Sequence, residues 1–171
     1  LIFMILAQPI LAQQITCSPA DKQAFENKTI EIDGLLESDF GETMVAIGKT
    51  FTGIPYVAKT LEVGETETLV INLQGLDCTT YVENVLTFST LLRDGKADFD
   101  SFTNILKTIR YKDGRLDGYG SRLHYFTEWI RNNEVKGLFK DITNEVGGIE
   151  IKKDINFMGT HRELYPFLKD D

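Results

Sequence analysis

In the stretch GLDCTTYVENVL, residues 75–86, a cysteine follows an acidic residue where a strand-like run gives way to a helical one. Cys78 in that position can do chemistry. A thiolate is a good nucleophile, and the unpaired N–H groups of a helix N-terminus lower the pKa of a thiol placed there. The same N–H groups can hold the oxyanion of a tetrahedral intermediate. Gly75 frees the chain to turn from strand to helix, and Asp77 stands where a carboxylate caps a helix or meets its dipole. Against this, a free cysteine is commonly a small buried hydrophobe.

The elements around Cys78 follow from periodicity and caps. The run 68–73, TLVINL, is β-branched and predicts a buried strand. From Cys78 to about Arg93, the positions Val82, Val85, Leu86, Ser89 and Leu92 form one helical face. Upstream, Ser18 and Pro19 open a short helix, and Phe40, Met44, Ile47 and Phe51 mark a second one that Gly53 ends. Asp98 or Asp100 caps a helix running to about Ile109, with Phe102, Ile105, Leu106 and Ile109 inward. Residues 111–120 are turn chemistry. A helix is expected from Ser121 to about Asn132, and a hairpin of two strands around Gly147-Gly148. Residues 159–171 read as a helix start or a loop. The pattern is one α+β domain with its helices early.

The chain has 171 residues, enough for one domain with a core, and its 42% hydrophobic and 26% charged content is that of a globular protein. A net charge of -8 without a Lys/Arg-rich run excludes nucleic acid as the expected partner and gives no reason for adhesion to an anionic membrane. Asp154, Asn156 and Thr160 do not have the spacing of a calcium loop, and neither a metal nor a cofactor is expected. The first residues, LIFMILAQPILAQQ, are apolar as far as Ala12. They resemble a secretory signal peptide cut after Ala12, with residues 13–171 as the domain, and are too short for a membrane span. Cys17 follows at the distance of a lipoprotein anchor, although Gln14 spoils the lipobox. A Cys17–Cys78 disulfide ranks below a free Cys78.

Cys78 gains meaning beside FTGIPYVAKTLE, residues 51–62. Gly53, Pro55 and Tyr56, followed by Asp77-Cys78, resemble the Gly-x-Pro-Tyr and Asp-Cys elements of the NlpC-type branch of papain-like cysteine peptidases and amidases, with Thr79-Thr80 in place of Ser-Gly. Together with GYGSRLHYFTEWI (118–130) and THRELYP (160–166), the chain from about Thr43 is similar to a bacterial family of N-acetylmuramoyl-L-alanine amidases in that superfamily.

The resemblance implies a papain-like α+β fold in which the nucleophilic cysteine heads the central helix and β-strands follow. It implies amide hydrolysis between N-acetylmuramic acid and L-alanine of a muropeptide or of peptidoglycan, without a metal. Cys78 and Tyr56 would be catalytic; Asp77, Thr79, Tyr119, Arg122, His124, Tyr125, Thr160 and His161 would bind substrate. Glu83 is expected at the surface or as a cap. Export to the periplasm or envelope follows, and a monomer is expected.

The superfamily's His-Val-Gly strand is not found in this chain. Its histidines are His124, read on an aromatic helix face, and His161, in a polar turn. The base is therefore expected beyond Asp171, in a longer protein, and this chain alone is expected to be poorly active. Two other classes share the sequence features: a γ-D-glutamyl endopeptidase of the same fold, and a non-catalytic cell-wall binding module.

Overall fold

The structure is a computed structural model that describes residues 15–169. The signal-peptide segment 1–12 lies outside the described residues.

Strand β1 (Ile15–Cys17) pairs in parallel with β2 (Leu69–Ile71), with Ile15 opposite Leu69 and Cys17 opposite Ile71. Between them run α1 (Pro19–Glu31) and α2 (Phe40–Lys49). After β2 come α3 (Cys78–Arg93), α4 (Phe99–Arg110), α5 (Phe126–Val135) and the single turn α6 (Phe157–Thr160). Short 3-10 turns occupy Lys112–Gly114, Tyr119–Ser121, Arg162–Leu164 and Pro166–Lys169.

The caps act as their residue types dictate. Ser18 Oγ accepts from the N–H of Asp21 at 3.1 Å, Asp39 Oδ1 from that of Glu42 at 3.0 Å, and Asp98 Oδ1 from that of Ser101 at 2.7 Å. Asp21 also receives the buried N–H of Leu73 at 2.8 Å, which hooks α1 to the exit of β2.

Helix α3 is the centre of the fold and is buried along most of its length, packing chiefly on α4 and α2. Phe88 of α3 meets Phe102 of α4 and Phe25 of α1 at ring separations of 4.8 and 5.9 Å, and this aromatic cluster joins Ile47, Leu69, Ile71, Leu91 and Leu106 in the main core. A smaller core gathers Leu86, Ile109, Leu123 and Trp129.

Three expectations are corrected. Among the described residues both strands precede α3, so no β-strands follow the cysteine-bearing helix. The helix expected from Ser121 begins at Phe126 instead. Arg122 forms an antiparallel bridge with Tyr111, and the N–H of Leu123 donates to Arg110 O at 3.0 Å; pairing with the end of α4 holds this segment extended and buries Leu123 without a helix. The hairpin around Gly147-Gly148 is absent: residues 143–147 are turns, and 148–156 are irregular. No described strand lies beside them, and Ile149 and Ile151 remain exposed.

Among the described residues no helix is long and apolar enough to cross a membrane.

Candidate active site

Cys78 is the first residue of α3, a helix of 16 residues, and its side chain is exposed. Helix formation starts there because Asp77 and Thr80 form a capping box. Asp77 Oδ1 accepts from the Thr80 N–H at 2.8 Å, and Thr80 Oγ1 accepts from the Asp77 N–H at 2.9 Å. The cap satisfies the N–H of Thr80, while that of Tyr81 goes to Asp77 O at 2.9 Å. Among the described residues the N–H groups of Cys78 and Thr79 have no acceptor, so two donors stay open beside the thiol. Asp77 itself is spent on the cap.

Tyr56 reaches the same place through the backbone. An isolated parallel bridge joins it to Leu76, with the Val57 N–H donating to Leu76 O and the Leu76 N–H to Pro55 O, each at 3.1 Å. The Tyr56 side chain is 72% exposed beside this bridge, two residues of chain before the nucleophile position. Gly75 permits the approach: a Cβ there would lie 2.6 Å from Val57 Cγ2. Asn72 Oδ1 shapes the turn by accepting from the N–H groups of Gln74 and Gly75 at 2.9 and 3.1 Å.

Below Cys78, on the stripe of α3 that carries Tyr81, Val82 and Val85, a groove of about 400 Å³ opens against Met44, Gly48 and Lys49 of α2.

The other expected site residues fall into two groups. Tyr119 is buried, and its hydroxyl donates to Glu62 Oε1 at 2.8 Å. The Arg122 guanidinium lies over the Tyr119 ring at 4.8 Å and is ion-paired with Glu67 at 3.1 Å and Glu62 at 3.7 Å, although its Nε and Nη2 are not aligned for hydrogen bonds. Burial pushes the Glu67 carboxyl up, against the pull of Arg122, and the Tyr119 hydroxyl is raised by burial and by its bond to Glu62. His124 is not on a helix: its Nε2–H donates to Tyr119 O at 2.8 Å, and burial, with the Arg122 charge beside it, holds the imidazole down to about 4.

In the second group, Tyr125 Oη accepts from the Met158 N–H at 2.8 Å. Thr160 Oγ1 lies 2.9 Å from His161 Nδ1, whose ring stacks on Phe157 at 4.0 Å.

The structure thus brings the backbone of Tyr56 against Leu76, which leads directly into Asp77, Cys78 and Thr79. Among the described residues neither histidine hydrogen-bonds to Cys78.

Glu83 corrects another expectation. It is 2% exposed and bound to Arg110, with Nε to Oε2 at 2.8 Å. No local signal marks this pair or the partners Glu62 and Glu67, whereas Thr80 was readable from its Asp-x-x-Thr spacing. Among the described residues no three His, Cys, Asp or Glu side chains gather as a metal site.

Comparison with known proteins bears on this arrangement. Residues 46–171 match the family model described as AmiA-like, N-acetylmuramoyl-L-alanine amidase-like. An N-acetylmuramoyl-L-alanine amidase from Bacteroides uniformis, of solved structure, is similar at 39% identity and TM-score 0.70, over 77% of this chain and 55% of its own. A Bacteroides fragilis protein provisionally described as a xylanase is similar at 42% identity and TM-score 0.66, over 72% of this chain and 54% of its own. A Legionella pneumophila protein is similar at 28% identity and TM-score 0.59, over 72% of this chain and 41% of its own. The chain thus spans about half the length of the first two solved structures. No curated protein matches.

Proposed function

The chain belongs to the AmiA-like, N-acetylmuramoyl-L-alanine amidase-like family, and on that premise we propose that it carries the nucleophile of a cysteine-dependent cell-wall amidase of the papain-like, NlpC type. The observation that carries this reading is the exposed Cys78 thiol at the first position of a capped helix, with the open N–H groups of Cys78 and Thr79 beside it and Tyr56 bridged alongside.

In this reading the Cys78 thiolate adds to the carbonyl that joins the lactyl group of N-acetylmuramic acid to L-alanine. The oxyanion settles against the N–H groups of Cys78 and Thr79, with Tyr56 holding the carbonyl side. A base takes the thiol proton and delivers it to the amine as the C–N bond breaks, leaving a thioester. Water then attacks the thioester, releasing the lactyl carboxylic acid and restoring the thiol.

His124 is engaged with Tyr119 O and His161 with Thr160 and Phe157, so the reading assigns the base to neither of them. Glycoside cleavage fits these residues less well. It needs two carboxylates flanking a cleft, whereas Glu62 and Glu67 are tied to Tyr119, Arg122 and Tyr111. Tyr119 and Arg122, buried in that network, shape the wall around the substrate more than they touch it; Tyr125, Thr160 and His161 form a separate, more open patch for the sugar or peptide. Peptidoglycan lies outside the inner membrane, so the activity belongs to the envelope.

The test is turnover of a defined muropeptide by the full-length protein, read by mass spectrometry. The expected products are the free muramic acid sugar and a peptide beginning with L-alanine, and Cys78→Ala abolishes them. Undiminished turnover by Cys78→Ala overturns the reading, and a sugar still bearing L-Ala-D-Glu identifies an endopeptidase instead.

A further inference from the structure

Arg110 is the last residue of α4, and its side chain turns inward to become 3% exposed. Its Nε donates to Glu83 Oε2 at 2.8 Å, on α3, and its Nη1 donates to Val70 O at 2.6 Å, in the middle of β2. One guanidinium therefore pins both ends of the segment 70–83. Within that segment lie the Asn72 turn, the Leu76 bridge to Tyr56, and Cys78.

Val85, Phe88 and Leu91 pack α3 into the apolar core, while its buried Asn84, Thr87 and Ser89 bond to carbonyls of α3 itself and so do not tie it to a neighbour. Apolar packing is non-directional and tolerates small slides and rotations of a helix. A planar guanidinium that satisfies a carboxylate and a carbonyl at once does not, because its donors are fixed in one fork. Burying such a pair is also a poor route to stability, since apolar residues of similar volume are often as stable or more so. The pair is better explained by the geometry it enforces than by its contribution to stability.

We infer that Arg110 and Glu83 are positioning residues for the reaction: their clamp to Val70 sets the axial and rotational place of Cys78 relative to Tyr56. This rests on the nucleophile assignment above. Neither side chain touches substrate; both act through α3. Misplacement of a reacting group by about 1 Å is enough to cost on the order of 100-fold in rate.

The experiment uses the full-length protein with the muropeptide substrate and two variants. Arg110→Lys keeps the charge but replaces the fixed planar fork by a single, freely rotating ammonium. The double variant Glu83→Leu with Arg110→Met replaces the clamp by apolar volume. The expected result is a kcat reduced about ten-fold or more in both, with KM within about two-fold of the parent and the melting temperature essentially kept. Full kcat in a folded double variant overturns the inference, as does full kcat in Arg110→Lys should the double variant fail to fold. A rate loss that merely follows the fraction unfolded also overturns it, because the pair then serves stability alone. Cys78→Ala, run in parallel, separates the two claims: if it still turns over substrate, the nucleophile assignment has failed; if it is dead while the clamp variants are fully active, only the clamp has failed.

Discussion

Tyr56 and Leu76 are joined by an isolated parallel bridge, and that bridge carries the Gly-x-Pro-Tyr segment to the residue pair that opens α3. Two pieces of chain far apart in sequence thereby meet at the start of one helix. Gly75 makes the meeting possible, and its replacement is the most direct way to undo it. In Gly75→Ala the new Cβ would press on Val57 at 2.6 Å, against a segment held by backbone bonds to Leu76. We expect a loss of about 1–3 kcal/mol in chemical denaturation and, in the full-length protein, a fall in kcat/KM greater than that loss of folded protein explains.

The thiols differ in their surroundings. Cys78 is exposed, whereas Cys17 is half-buried in β1, and burial, then the charge of Asp21, pushes its thiol up. Iodoacetamide at neutral pH should therefore modify Cys78 at least about ten-fold faster than Cys17. Peptide mapping by mass spectrometry reads the order, and faster labelling of Cys17 would contradict the exposed placement of Cys78.

The capping box predicts a graded response. Asp77→Ala leaves the Thr80 N–H without its acceptor and should cost about 1 kcal/mol. Asp77→Asn keeps a side-chain oxygen and should cost a few tenths. Urea denaturation of the two variants side by side checks the ranking.

His124 should make the fold acid-sensitive. Its imidazole is held down to about 4 from an ordinary 6.5, by burial first and the Arg122 charge second, so the unfolded chain takes up the proton earlier than the folded one. The stability it contributes is complete above pH 6.5 and is lost as pH falls toward 4. The full loss is on the order of 3 kcal/mol. Glu67, raised by burial, works in the opposite direction over acid pH. The difference between parent and His124→Gln, whose amide can still donate to Tyr119 O, isolates the histidine. Melting temperature against pH should fall less steeply in the variant; parallel curves would show that His124 does not carry this dependence.

The reading from sequence succeeded where the physics is local. Ser18, Asp77 and Asp98 cap helices that begin as their spacing implies, and the apolar period of residues 78–93 runs along one helix, α3. It failed where the outcome depends on a distant partner. Leu123 and its neighbours have helical spacing, yet the end of α4 at Arg110 and Tyr111 captured them in extended form. Ile149 and Ile151 alternate as in a strand, yet no described strand pairs with them.

By itself, then, the sequence determined that a cysteine would head a capped helix after a β-branched strand. A cap and a helical stripe are set by residues within a few positions of one another, and their free energies act before any tertiary contact forms. Only the tertiary structure decided that Tyr56 would bridge to Leu76, two residues before that cysteine, that Glu83 would be buried on Arg110, and that Tyr119, Arg122 and His124 would be committed to a network with Glu62 and Glu67. Apart from His124 with Tyr119, these pairings join residues 20 or more positions apart along the chain. Which of them form is settled by how the helices pack around α3 and by which buried polar groups must find partners, and neither is written in the local pattern.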